Sequence, residues 1–498
     1  MNPILFGHDD EANIVAVNAH GESLVRIYKR AGDVIEHRDE EFFPFFHISD
    51  KRFLENFPEK FWQKKLEGSN FYQYICAFPS VPILWDAVNY ALRKITKEFK
   101  TNYNSHLDTE HIFLRPDMNT QYLMQSGKTL FKGMQFNDLH RLQIEIETYS
   151  KDYRFSRADK KDDRIILISL SDNRGFETVI GGKHIGEKKL LQQCIKIIIE
   201  KDPDIIEGHN IFNFDLPYIL QRCALHEIEF TIGRDGSVPS GFRSRTSFAE
   251  NSVEYTSYEV DGRHFIDTWL LVQSYDMTKR NMENHGLKYA AKYFGLSTAD
   301  RTYIPGDKIS WYWDNEVETL KKYALDDVVE TRGLSDKLSG STFYLTQMLP
   351  FNYGTVAKLG SAAKIESLFL REYIKQRHSI PKPQKGSQTS GGYTDIFYTG
   401  VFSPIVHADV ESLYPSIMLS KNIKPITDDL DVFPSALKYL TTQRLEVKRT
   451  LALAVGSKEY STIDAMQSSF KILINSFYGY LGYGKGLFND YRQADVIT

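Results

Sequence analysis

The stretch His407-Ala408-Asp409-Val410-Glu411-Ser412-Leu413-Tyr414-Pro415-Ser416-Ile417-Met418 is the part of the chain around which the rest is arranged. A short apolar run, Val401 to Ala408, leads into it as a strand and delivers one carboxylate, Asp409, to a turn. A carboxylate oxygen beside a cluster of backbone N–H groups supplies both things that a divalent cation carrying phosphates needs. A helix is expected from Tyr414 with Ser412 as its cap. Taken alone, Asp409 and Ser412 are equally the ingredients of ordinary helix capping.

The composition bounds the setting. A chain of 498 residues is too long for one core, so three or more domains are expected. Apolar residues at 42% and charged residues at 25% are ordinary for a globular protein. No run of about 18 apolar residues occurs, and Asp9, Asp10 and Glu11 stand where a secretory signal would be basic. No membrane is expected, and the expected location is cytoplasmic, at the nucleoid in a prokaryote. Cys76, Cys194 and Cys223 are far apart without metal-ligand spacing and read as small core residues. A net charge of −4 does not advertise nucleic-acid binding, but acidic metal ligands and a local basic groove can coexist in such a total.

Upstream of the opening stretch, Asp395 to Tyr398 reads as another strand, preceded by Gly391-Gly392-Tyr393. The polar run Lys385 to Ser390, with Pro381 and Pro383, marks a boundary. Further back, Asn315 to Lys337 has helical spacing; Tyr323 and Asp327 share a face, with Asp326 turned about 100° away. That helix is either an acidic surface or one that holds a phenol next to a metal-binding carboxylate. The run Pro203 to Gly208 ends a buried strand, and Asp215 opens a helix with Pro217 in its first turn, as an N-cap or as a carboxylate aimed into a cleft. In Leu142 to Thr148 the period is two, so Glu145 and Glu147 share one strand face roughly 6 to 7 Å apart, as a solvated edge or a metal pair. Arg164 to Leu170 follows as its hairpin partner. Before residue 135, Ile14 to Val17, Ser23 to Tyr28 and Phe71 to Phe78 read as strands. Ala87 to Lys100 reads as a helix whose Lys94, Lys97 and Lys100 form a solvated face.

Downstream, the helix from Asp464 to Leu481 carries two stripes. Gln467, Lys471, Asn475, Tyr478 and Gly479 make a polar one, and Phe470, Ile474, Phe477 and Leu481 an apolar one that should bury. A lysine within such a polar stripe, with glycines at 479 and 482 leaving room for a planar ligand, suits a nucleoside triphosphate. Arg444, Lys448 and Arg449 on the preceding helix lie on the same side or form a solvated basic face.

Together these segments resemble family B DNA polymerases. Asp409 with Ser412-Leu413-Tyr414-Pro415-Ser416, then Asn422-Ile423 and Pro425, is similar to the family's first polymerase motif. Gln467, Lys471, Asn475-Ser476, Tyr478 and Gly479 resemble its fingers motif, and Gly391-Gly392-Tyr393 the string joining its two activities. Glu145-Ile146-Glu147-Thr148, Asn210 with Phe214-Asp215, and Tyr323 with Asp327 are similar, in order, to its three exonuclease motifs. The resemblance implies a multidomain α+β fold. It has an N-terminal β-rich domain (1–135), an RNase H-like α/β 3′–5′ exonuclease domain (136–337) and a connecting helical segment (338–388). A first part of the palm (389–430), helical fingers (431–485) and the start of a second palm part (486–498) complete it.

The same resemblance implies roles. Asp409 would bind catalytic Mg²⁺, with Mn²⁺ as a substitute, in the two-metal scheme. Ser412 and the Leu413 backbone would meet the triphosphate, and Tyr414 would lie under the sugar and reject a 2′-hydroxyl. Lys471, with Arg444 a weaker candidate, would neutralise phosphate, while Asn475 and Tyr478 would shape the base-pair pocket. In the exonuclease, Glu147, Asp215 and Asp327, with Glu145 at the family's opening carboxylate position, would hold two metals while Tyr323 would orient the attacking water. Primer-template DNA and dNTPs are the implied partners.

Two departures from the family pattern matter. Glu145 stands where the family has Asp, and its extra methylene would displace the carboxylate by about 1.5 Å, which metal-assisted catalysis tolerates poorly. Residues 1–498 also contain no Tyr-x-Asp-Thr-Asp string for the partner carboxylate of Asp409, and no thumb. Three readings therefore stand. One is a polymerase portion completed by further palm and thumb, with a second polypeptide as one source; the others are a stand-alone 3′–5′ exonuclease and a catalytically silent DNA-binding scaffold.

Overall fold

The computed structural model describes residues 2–152, 155–248, 251–387, 392–408, 410, 412–457 and 459–498. Asp409, and Gly391 of the Gly391-Gly392-Tyr393 string, lie outside them.

The N-terminal part carries two antiparallel sheets, the first formed by β1 (Ile14–His20), β2 (Leu24–Ala31) and β3 (Val34–Glu41). The second comprises β4 (Phe45–Ile48), β5 (Trp62–Lys65), β6 (Tyr74–Ala77) and β7 (Ile112–Phe113), in the order β5-β6-β4-β7. Helix Val81–Phe99 closes over the second sheet because Leu84, Ala87, Val88, Ala91, Leu92 and Ile95 recur at three- and four-residue spacing and all bury. Its Lys97 and Lys100 are exposed, as a solvated face requires.

One consequence of this packing is testable. His47 in β4 is 2% exposed, between the rings of Phe45 and Phe113, and burial pushes its imidazole down to about 3 from an ordinary 6.5. Because the folded value lies below the unfolded one, this contribution is complete above pH 6.5 and is lost as pH falls from there toward 3. His47→Phe should recover about 2–3 kcal/mol of the stability that the native chain loses between neutrality and pH about 4.5. Urea midpoints at the two pH values check this; equal acid losses in the two proteins would refute it.

The central sheet comprises β8 (Arg141–Tyr149), β9 (Arg164–Asp172), β10 (Glu177–Gly181), β11 (Ile205–Gly208) and β14 (His264–Asp267), in the order β10-β9-β8-β11-β14. β8 pairs antiparallel with β9 and parallel with β11, which pairs parallel with β14. A long hairpin, β12 (Ser240–Phe248) and β13 (Asn251–Glu259), stands beside it. β11 is buried along its whole length, as a central parallel strand should be. Helix Glu187–Lys201 packs on β9 and β10 through a stripe that includes Leu190, Leu191, Cys194 and Ile198. Helix Val317–Thr346 also lies on the sheet. Its buried stripe runs through Leu320, Tyr323, Ala324, Asp327, Val328, Thr331 and Leu334, so the alternative of an acidic surface helix is not realised.

The C-terminal helices Ser361–Lys375, Val432–Leu453 and Tyr460–Leu481 share a core in which Phe369 stacks on Phe488 at 4.4 Å and Phe477 meets Phe433. Phe470, Ile474, Phe477 and Leu481 bury there, so the apolar stripe of the last long helix behaves as its spacing predicts. Buried Arg371 donates to the carbonyls of Ile4, Leu5 and Met348, tying residues near the start of the chain into this core.

The strands expected at Asp395 to Tyr398 and Val401 to Ala408 do not form. Residues 392–408 are extended or bent and exposed, with Val401 fully open and Tyr398 81% exposed. A strand needs a neighbour for its N–H and C=O groups, and no described residue pairs with this segment. Among the described residues no helix is long and apolar enough to cross a membrane.

Candidate active site

Glu145 and Glu147 lie on one face of β8, which carries a register shift between Glu147 and Thr148. A local irregularity of this kind re-aims side chains beside a site. β11 ends next to β8 at Gly208, and the chain turns through His209 to Asp215 before entering helix Asp215–Leu225. Asp215 is not an N-cap. It occupies the first helical position, and its Oδ1 accepts the amide of Ile146 at 3.0 Å, fastening the helix start to β8. Its Oδ2 is buried and has no hydrogen-bond partner. A buried carboxylate oxygen in that condition calls for a proton or a cation.

The long helix supplies the other wall, with Tyr323 and Asp327 one turn apart on the buried stripe. Burial, then the Asp327 and Glu147 charges, raises the Tyr323 phenol well above its ordinary value. Burial, then the Asp215 charge, raises the Glu145 carboxyl well above the usual range; burial, then Asp327, does the same to Glu147. Burial also raises Asp215, with Asp267 and Asp327 adding to it. These mutual effects bring all four carboxylates into one electrostatic unit. Their donor set, oxygen only and including an orphan oxygen, fits a hard divalent cation.

Several participants carried no signal in the sequence. Glu145 Oε1 accepts the His209 amide and the Thr331 hydroxyl, each at 3.0 Å, so the longer side chain spans from β8 to both β11's end and the long helix. Lys288 and Arg301 both donate to Asp327 Oδ1. Asp267 caps helix Thr268–Lys279 and accepts the amides of Asn210 and Phe212, shaping the turn before Asp215. A period-two or helical pattern cannot reveal such partners, which lie 26 to 186 residues away from the groups they hold. Among the described residues, the trio of potential ligands whose atoms come within 4.8 Å of one another is His20, Asp235 and Asp261, beside the N-terminal sheet and not at this site.

The second candidate centre lies on the C-terminal helices. Helix Leu413–Ser420 begins after Ser412, which adopts a left-handed conformation and makes no side-chain cap. The Ser412 hydroxyl instead accepts from Arg444 Nη1 at 3.0 Å, while Arg444 Nε donates to Gln467 at 3.1 Å. The Tyr414 and Tyr478 rings lie 4.4 Å apart. Lys471 and Asn475 are exposed on the same helix as Tyr478, and Leu413 is 46% exposed. Arg444 thus joins the two polymerase-like segments, whereas Lys448 and Arg449 face solvent.

Fold and sequence together define an α+β multidomain protein built around an exonuclease-type α/β domain. Residues 100–289 match the model for DNA polymerase family B, exonuclease domain, and residues 427–498 match that for DNA polymerase family B. The chain belongs to DNA polymerase family B. It is 27% identical over 419 residues to a DNA polymerase of Thermococcus sp. (strain 9oN-7), covering 76% of this chain and 51% of the relative. To a DNA polymerase of Archaeoglobus fulgidus it is 29% identical over 391 residues, covering 73% and 47%. The solved family B DNA polymerase from Pyrobaculum calidifontis shares the fold, with a TM-score of 0.71 at 19% identity over 97% of this chain and 69% of that one. The chain spans about half the length of the curated relatives it matches. Family B polymerases and their exonuclease domains are divalent-metal enzymes.

Proposed function

We propose that this chain is the exonuclease- and nucleotide-handling portion of a DNA-directed DNA polymerase, acting on primer-template DNA and dNTPs. The observation that carries the reading is the buried, unpartnered Asp215 oxygen at the start of a helix pinned to β8, with Glu145, Glu147 and Asp327 near enough for their charges to raise one another's carboxyls.

In the exonuclease centre, Glu147, Asp215 and Asp327 would hold the divalent metal, Mg²⁺ with Mn²⁺ as a substitute. A metal bound there would supply Lewis-acid chemistry for water activation and for the charge on the leaving 3′-oxygen. Burial raises the Tyr323 phenol, and Asp327 and Glu147 raise it further, so it keeps its proton. Tyr323 therefore orients a water molecule by hydrogen bonding and does not deprotonate it. Glu145 sets the spacing of β8, β11 and the long helix through His209 and Thr331. In the polymerase centre, Asp409 is the metal-binding carboxylate. Lys471 pairs with phosphate, Ser412 and the Leu413 backbone meet the triphosphate, and Tyr414 lies beneath the sugar. Asn475 and Tyr478 bound the nascent base pair, and Arg444 positions the loop through Ser412. The second palm carboxylate comes from polypeptide outside residues 1–498, either in the same chain or in another.

Two assays test this. Incubated with 5′-labelled single-stranded DNA and Mg²⁺ or Mn²⁺, residues 1–498 should shorten the strand from its 3′ end; tight binding without shortening in either metal would sink the exonuclease reading. Primer extension by residues 1–498 should be blank and should appear when the remaining palm and thumb are supplied. Asp409→Asn should then lower extension by about 10³-fold or more. A completed enzyme that extends no primer, or an Asp409→Asn variant that extends normally, would sink the polymerase reading.

A further inference from the structure

Three parts of the chain meet at one buried carboxylate. Glu366, on helix Ser361–Lys375, is 7% exposed and uses both of its oxygens. Its Oε1 accepts from Arg115 Nη2, and its Oε2 accepts the Tyr480 hydroxyl at 3.2 Å and the Leu487 amide at 2.8 Å. Tyr480 is buried in the last turn of helix Tyr460–Leu481, the helix that presents Lys471, Asn475 and Tyr478. Its hydroxyl also accepts the Phe488 amide at 3.2 Å, and a β-carbon on Gly486 would come within 3.0 Å of its ring. The segment that leaves this helix therefore wraps the Tyr480 ring and is moored to Glu366 at Leu487.

The cation comes from elsewhere. Arg115 stands between β7 and helix Met118–Ser126, 251 residues before Glu366. Its guanidinium lies 5.8 Å from the centre of the Phe113 ring. Its carbonyl accepts from the Gln121 side chain, whose oxygen in turn accepts the Phe45 amide of β4, so Arg115 is fixed to the second N-terminal sheet. A carboxylate buried to this degree stays ionised at low cost only beside such a partner, and losing the partner forces its surroundings to shift so that the charge is rehydrated or neutralised. Those surroundings are Tyr480 and Leu487.

Resting on the polymerase reading proposed above, we infer that Glu366 is a positioning residue for nucleotide addition, and that Arg115 couples the N-terminal part of the chain to the helix carrying Lys471, Asn475 and Tyr478. Lys471 meets phosphate directly and so acts on affinity. Arg115 acts through Glu366 and Tyr480 on the alignment of the whole helix, so its contribution falls on the rate of the bound complex.

The test uses residues 1–498 completed with the remaining palm and thumb, and reads single-turnover incorporation across a range of dNTP concentrations. Arg115→Met should lower the maximal rate about tenfold with the half-saturating dNTP concentration within about threefold of native; Arg115→Lys, which restores the charge, should recover the rate to within about threefold. Tyr480→Phe should also lower the rate, and the Arg115→Met/Tyr480→Phe double variant should lose no more than the worse single one, because both act through Glu366. A residue with a structural role alone would lower the thermal midpoint and the fraction of active enzyme and leave the rate per titrated active site unchanged, and that outcome overturns the inference. Single losses that multiply in the double variant also overturn it. Should Arg115→Met not fold, Tyr480→Phe decides alone, because an unchanged rate there overturns the inference. A completed native enzyme that extends no primer is instead failure of the polymerase reading, and the inference falls with it.

Discussion

Asp215→Asn is expected to lower 3′–5′ shortening of single-stranded DNA by about 10³-fold or more while leaving the fold intact. Asparagine has nearly the same shape and can still accept the Ile146 amide through its carbonyl oxygen, so the join between helix Asp215–Leu225 and β8 survives. What it removes is the negative charge on the buried, unpartnered oxygen. The same change should stabilise the metal-free protein at pH 8. Asp215 is an acid whose folded value lies above its unfolded one, so its ionisation opposes folding progressively as pH rises above the unfolded value of 3.8. The gain should therefore be present at pH 8 and small near pH 4. Shortening rates and thermal midpoints at both pH values check this. Shortening within threefold of native, or a lower midpoint at pH 8, would remove Asp215 from the role assigned to it.

Lys471→Ala should lower the dNTP kcat/KM of the completed polymerase by about 10²-fold, carried mainly by KM, and leave exonuclease rates unchanged. Lys471 is exposed on a helix whose opposite stripe is buried through Phe470, Ile474 and Phe477, so it has room to meet an anion without disturbing the core. Arg444 is different, because its guanidinium already bridges Ser412 and Gln467. Arg444→Ala should therefore impair the enzyme through loop position, with kcat affected as well as KM. As an exposed change, Lys471→Ala should alter stability by no more than about 0.5 kcal/mol. Single-turnover incorporation across a range of dNTP concentrations separates the two. A normal KM in Lys471→Ala would rule out its phosphate role.

Much of the architecture was written in local pattern. Period-two alternation placed Glu145 and Glu147 on one face of β8, and i to i+4 spacing placed Tyr323 over Asp327, because side-chain direction in a strand or helix follows from backbone repeat alone. The two stripes of helix Tyr460–Leu481 were legible for the same reason. The strands expected before Asp409 were not realised, since a strand's stability belongs to its pair and alternation of side chains does not supply a partner.

The amino-acid order alone therefore pointed to the family and to the carboxylates, phenol and lysine that its motifs would use. It left undecided which of those groups would be free to act. That was decided by contacts between residues remote in the chain. Asp215 is turned from a cap into a carboxylate with an orphan oxygen by the Ile146 amide. Glu145 becomes a brace through His209 and Thr331, and Asp327 receives two cations from Lys288 and Arg301. The availability of a buried charge depends on what the fold brings within a few ångströms of it, and that distance has no counterpart in sequence spacing.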